Sequence, residues 1–197
     1  MPEFVVNWEY TKRLERLNVS LEKLKMILTV PDKIYGAGDI SKWKEAEKEL
    51  GSKFPSDYKE FISTYGTGGV CGFLWIYSPF SSNENLNFFM GLKEDNNAYF
   101  TSKQKFPDDF PRSLFPEEGG LLPWGVTDNG DVLNWLTSDN PEKWSVLVYD
   151  GRSGDAFEYK NSLTEFLYDV LSENITCHLF PDDLLDIEFE YIVGKED

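Results

Sequence analysis

Residues 121–135 read LLPWGVTDNGDVLNW: two strand-like runs, each with a tryptophan, joined through Asn129-Gly130. Asn-Gly between alternating apolar runs is a strong hairpin signal, because both residues tolerate the positive φ of a tight type I′ turn. With these two at the centre of the turn, Asp128 faces Asp131, Thr127 faces Val132, Val126 faces Leu133 and Trp124 faces Trp135. Alternation then places Trp124, Val126 and Asp128 on one face, opposite Trp135, Leu133 and Asp131. Aromatic and aliphatic cross-strand pairs stabilise a sheet, whereas directly opposed like charges do not. The two aspartates are either ordinary turn residues screened by salt or carboxylates awaiting a cation. A calcium loop fits poorly, because such a loop needs further oxygen ligands ending in a Glu, and here the chain turns straight into VLNW.

The segments before the hairpin have helical period. Leu14, Leu17, Leu21, Leu24 and Leu28 recur at spacings of three and four within residues 8–29, which predicts one apolar stripe. Ser41 is placed to cap a second helix through Leu50, with Gly51 as its C-terminal cap. Pro55 suits the first turn of a third helix, Asp57 suits its positive end, and Gly66 closes it. Tyr58, Phe61, Ile62 and Tyr65 form its apolar side. The glycines of GTGG at 66–69 read as a helix stop and turn. GVCGFLWIY and NLNFFMGL then read as strands, with a short helix around Asp95–Lys103 and an ordered, proline-rich loop from Phe106 to Gly120. Beyond the hairpin, strands are predicted at Ser145–Tyr149 and Ala156–Tyr159. Ser162-Leu163-Thr164-Glu165 is a capping box opening a last helix. IEFEYIV in the acidic tail can add a final strand. Helices, then a run of antiparallel strands, then a helix define an α+β chain.

The chain has 197 residues, 41% of them hydrophobic and 16% aromatic, enough to build a core. Its formal net charge is −16. That argues against nucleic acid as a direct ligand, since a phosphate backbone is bound by Lys and Arg, and it suits a basic partner or plain solubility. No run approaches the roughly 20 apolar residues of a membrane span, and the N-terminus lacks a secretory signal, so a cytoplasmic protein is expected. Cys71 and Cys177 stand alone, without metal or disulfide spacing. His178 is the one histidine; it reads as an ordinary residue near the end of the last helix, favourable to the helix dipole. No HExxH, Walker loop or strand-linked GxGxxG occurs. The acidic pairs Asp108/Asp109, Glu117/Glu118 and Asp182/Asp183 define no glycosidase geometry by adjacency alone. Neither enzyme, metal nor cofactor is expected.

Three stretches in order carry a family likeness: WKEAEKELGSKFPSDYKEFISTYGTGG, then GGLLPWGVTDNGDVLNW, then WSVLVYD followed by NSLTEFLYDVL. Together they resemble the SUKH superfamily, in its Smi/Knr-like branch, over about residues 40–172. The likeness implies a domain at 40–175, with a twisted antiparallel sheet between N-terminal helices and a C-terminal helix. Residues 1–39 are then a helical extension packed on it, and 176–197 an acidic tail. It also implies a protein without catalytic residues. Many bacterial members are implied to be immunity proteins that bind and neutralise a toxin, often a nuclease. Fungal relatives are implied to be regulators linked to cell-wall synthesis and signalling, so a regulatory protein-binding module is the alternative. An acidic inhibitor can occupy the basic surface of a nuclease, and complementary charge speeds capture. The candidate contact residues are Asp108, Asp109, Glu117, Glu118, Asp128 and Asp131.

Overall fold

The structure, a computed structural model, describes residues 19–185 and 190–194. The described part of α1 covers residues 19–27. Leu21, Leu24 and Leu28 of the expected stripe are buried; Leu14 and Leu17 lie outside the described residues. Next come α2 (Ile40–Leu50), α3 (Ser56–Tyr65), β1 (Gly68–Val70), β2 (Leu74–Ile76), α4 (Phe88–Lys105) and β3 (Leu121–Thr127). β4 (Asp131–Leu136), β5 (Ser145–Asp150), β6 (Ala156–Tyr159), α5 (Leu163–Leu171) and β7 (Tyr191–Val193) complete the order. The sheet runs β6-β5-β4-β3-β2-β1-β7, with every pairing antiparallel.

The residue that caps α2 is Asp39, not Ser41: its carboxylate accepts the amides of Ser41 and Lys42. Gly51 ends α2 in a left-handed conformation, φ 76°. The capping box of α5 is complete, with Ser162 and Glu165 each bonding the other's backbone. Asp57, in the first turn of α3, is buried and accepts the Thr164 amide at 3.0 Å. This joins α3 to the start of α5. Burial pushes the Asp57 carboxyl above its ordinary range, partly offset by that hydrogen bond.

Three elements differ from the sequence reading. GVCGFLWIY is not one strand but β1 and β2, hinged at Cys71 (φ 56°) and Gly72 (φ 64°). In GTGG, Gly66 stops α3, but Gly68 and Gly69 belong to β1. NLNFFMGL opens α4, an 18-residue helix far longer than the expected 95–103 segment. The Asn87 side chain accepts the amides of Phe89 and Met90 and so starts the helix there. Its inner side runs Phe88, Leu92, Asp95 and Tyr99, a helical spacing broken by one carboxylate.

The hairpin also closes differently. Gly130 (φ 85°) donates its N–H to the carbonyl of Thr127 at 2.9 Å, and Asn129 keeps a negative φ. The loop therefore holds three residues, 128–130, with a glycine in the left-handed position. Val126 pairs with Val132 and Gly125 with Leu133, and a bulge at Trp124 sets Leu122 opposite Trp135. The expected Asp128–Asp131 and Trp124–Trp135 pairings do not form. Thr127 decides the closure: its hydroxyl donates to Asp131 Oδ2 (2.8 Å) and accepts the Asp131 amide (3.0 Å). The bulge still turns Trp124 to the face of Trp135, with ring centroids 6.2 Å apart.

One sheet face, with Leu122, Trp124, Leu133, Trp135, Val146 and Val148, packs in the main core with α3 and α5 residues. The other face carries Leu121, Val132, Leu147 and Tyr149, which pack with Tyr99 of α4 and with Phe110. Beside this second cluster, Tyr77 donates its hydroxyl to Asp95 Oδ2 at 3.1 Å. Burial pushes the Asp95 carboxyl up from 3.8 to about 6. The folded chain thus holds this proton more tightly than the unfolded one, so stability falls as pH rises from about 4 to 6. Asp95→Asn keeps the acceptor and removes the charge. It is expected to raise stability at pH 7.5 by about 2 kcal/mol, roughly 4–8 °C in Tm for a chain of this size. At pH 4 the gain should vanish. Thermal unfolding of both proteins at the two pH values checks this; an equal gain at both would contradict it.

Candidate functional site

The fold gathers three connections at one end of the sheet: the β3–β4 loop, the β5–β6 turn and the segment after α4. Asp131 pairs with Asp150 across β4 and β5. Gly151 packs against the carbonyl of Gly130, where a Cβ would come within 2.9 Å. Gly154 has φ +81° and lies on the backbone of Asp109; a Cβ there would meet the Asp109 carbonyl oxygen at 2.5 Å. Only a glycine fits both that conformation and that approach.

Asp108, Asp109, Asp128 and Asp155 are exposed at this end. Asp128 accepts the Trp75 indole N–H at 2.7 Å, which fixes its carboxylate at the rim of the sheet. Trp75 in turn lies over Gly69, whose absent Cβ would sit 2.7 Å from the ring. Asp150 accepts the Arg152 amide, the main cause holding its carboxyl below the usual range, and also bonds Ser153. Asp131 is only 2% exposed and is engaged with Thr127. Burial raises its carboxyl pKa against that hydrogen bond. Its carboxylate supports the turn from within and is not displayed on the surface.

Glu117 and Glu118 are exposed at the opposite end of β3. The Gly119 amide donates to the Thr137 carbonyl beyond β4, and Leu121 pairs with Leu136 beside it. The seven residues of β3 separate this end from Asp128 by roughly 20 Å. The six candidate residues therefore divide between two ends: Asp108, Asp109 and Asp128 at one, Glu117 and Glu118 at the other, with Asp131 buried. Asp150 and Asp155 fall between the strands expected at Ser145–Tyr149 and Ala156–Tyr159 and are not among the six candidates. The place of Asp155 in one cleft with Asp109 follows from strand order, not local sequence.

His178 lies past the end of α5, in a turn where its ring packs on Phe157 at 5.3 Å, rather than on the helix terminus. Cys177 beside it is buried, and burial pushes its thiol pKa up, away from a reactive thiolate. Among the described residues no three of His, Cys, Asp or Glu are grouped as a metal site. No described helix is long and apolar enough to cross a membrane.

The architecture is thus an antiparallel sheet backed by α2, α3 and α5, with exposed acidic residues on the connections at its ends. The family model SUKH_6, described as SMI1-KNR4 cell-wall, matches residues 40–167, and the chain belongs to this family. It is also similar to the SPbeta prophage-derived uncharacterized protein YokK of Bacillus subtilis (strain 168). The two are 28% identical over 168 residues, covering 75% of this chain and 82% of that protein.

Proposed function

We propose that the chain is a non-enzymatic immunity protein that binds and neutralises a cognate bacterial toxin through the acidic end of its sheet. The toxin class that fits is a nuclease domain, basic where it grips phosphates. The observation that carries this reading is that Asp108, Asp109 and Asp155, from two separate connections, line one cleft at the end of the sheet where Asp128 is also exposed, in a chain of net charge −16. Such a surface steers a cationic partner and competes with its phosphate substrate. Family membership supports a protein-binding role. The prophage origin of the similar Bacillus subtilis protein suits a gene inherited together with its target. Co-expression with the products of the neighbouring genes, one of which should be toxic when expressed alone, is the test. Cells should grow only when the intact chain is present; unrelieved toxicity with a well-folded chain would overturn the reading.

The family description, SMI1-KNR4 cell-wall, favours a second reading: a regulatory module that binds a host protein and has no toxin partner. Under that reading no neighbouring toxic domain is neutralised, and deletion of the gene alters growth in the absence of any toxin.

A further inference from the structure

We infer that a cleft between the segment after α4 and the β5–β6 turn receives an arginine side chain of a basic protein partner. This rests on the protein-binding reading above and names its anchoring contact. The cleft holds about 340 Å³, at the small end for ligand sites and suited to one long side chain rather than a large cofactor.

Its floor and its rim differ in chemistry. Leu121, Leu147 and the rings of Tyr99 and Tyr149 contribute apolar surface, and each of these residues is at most 5% exposed. Asp108, Asp109 and Asp155 supply exposed carboxylates around it. Arg112 also lines the cleft, but its guanidinium is drawn to Glu158 at 3.5 Å, leaving three carboxylates facing one engaged cation. The Tyr99 hydroxyl is occupied by the Arg112 amide at 3.0 Å. The Tyr149 hydroxyl has no hydrogen-bond partner among the described residues and is an open acceptor in a residue that is 95% buried.

An apolar, aromatic floor under an acidic rim matches a side chain with an aliphatic stem and a cationic head. Arginine suits it better than lysine, since a planar guanidinium stacks on aromatic rings and bonds carboxylates in pairs. A hard divalent cation does not fit, because it needs a shell of oxygens where the floor offers leucines. The rim is also set in advance: Gly154 packs on Asp109, and the Asp155 amide donates to the Ser153 hydroxyl at 3.2 Å. A preformed pocket loses little ordering entropy on binding.

Amide shifts from two-dimensional NMR test this without any partner in hand. The probe is the tripeptide acetyl-Gly-Arg-Gly-amide, with citrulline replacing arginine as the uncharged control. Saturable shifts are expected at residues 108–110, 112 and 153–156. Binding should weaken about tenfold or more for the citrulline peptide and for Asp109→Asn/Asp155→Asn. Ala156→Phe fills the cleft without changing any charge, and should abolish the response while the rest of the spectrum is retained. Shifts spread over the surface, equal binding of both peptides, or an unaffected Ala156→Phe variant would overturn the inference. If Ala156→Phe leaves neutralisation of a toxin intact, the cleft assignment fails and the immunity reading stands. If arginine binds as expected but no neighbouring toxin is neutralised, the immunity reading fails and the cleft stands.

Discussion

Trp135→Ala is expected to destabilise the fold by about 4 kcal/mol. Trp135 is 1% exposed, and its ring meets Tyr58 of α3 at 5.0 Å, Trp144 at 5.7 Å, Trp124 of β3 at 6.2 Å and Phe88 of α4 at 6.4 Å. Tyr58 and Phe88 also contact each other, so the three rings together join the sheet to the starts of α3 and α4. Truncation removes the largest type of side chain and leaves a cavity walled by rings that cannot easily collapse into it. Urea unfolding should show a lower midpoint at unchanged slope. Phe106→Ser is the comparison: Phe106 is 57% exposed, and a change there should stay within about 0.5 kcal/mol. A loss below about 2 kcal/mol at Trp135 would contradict this account of the core.

The second large effect concerns association. Asp108→Lys/Asp109→Lys and Glu117→Lys/Glu118→Lys change the net charge equally but at opposite ends of the sheet. The first is expected to slow capture of a basic partner by about 10- to 100-fold at low salt, and to flatten the salt dependence of the rate. The second should have a much smaller effect once ionic strength reaches about 0.1 M, where the Debye length of about 10 Å is shorter than the distance between the two ends. Stopped-flow association at two ionic strengths distinguishes them. Equal slowing by both pairs would mean that net charge, not the acidic end, governs capture.

The sequence resolved what local chemistry decides. Gly51, Pro55 and the Ser162–Glu165 box mark the ends of three helices because each solves a backbone problem in its own turn. The alternation of β3 to β6 and the α+β order were legible for the same reason. α4 was not, because Asp95 interrupts its apolar side and Phe88-Phe89 carries strand preference; the Asn87 cap settled the competition. The hairpin signal was correct in place and off by one in register. Asn129-Gly130 permits a two- or three-residue loop, and the Thr127–Asp131 hydrogen bonds select the latter. That choice removed Asp131 from the surface. The acidic loops were visible individually, but which of them share an end depends on the strand order that sets Gly154 on Asp109 and Gly151 on Gly130. The cleft, built from residues on α4, β3, β5 and two connections, had no local signature.

A tagged pull-down from the native cells, run at low and high salt with captured proteins identified by mass spectrometry, tests the central proposal most directly. The wild-type chain should retain a basic toxin domain in stoichiometric amount at low salt and release it at high salt, and Asp108→Lys/Asp109→Lys should fail to retain it. Capture of a host regulatory protein, equally at both salt concentrations and equally by the variant, would contradict the proposal and establish the regulatory reading in its place.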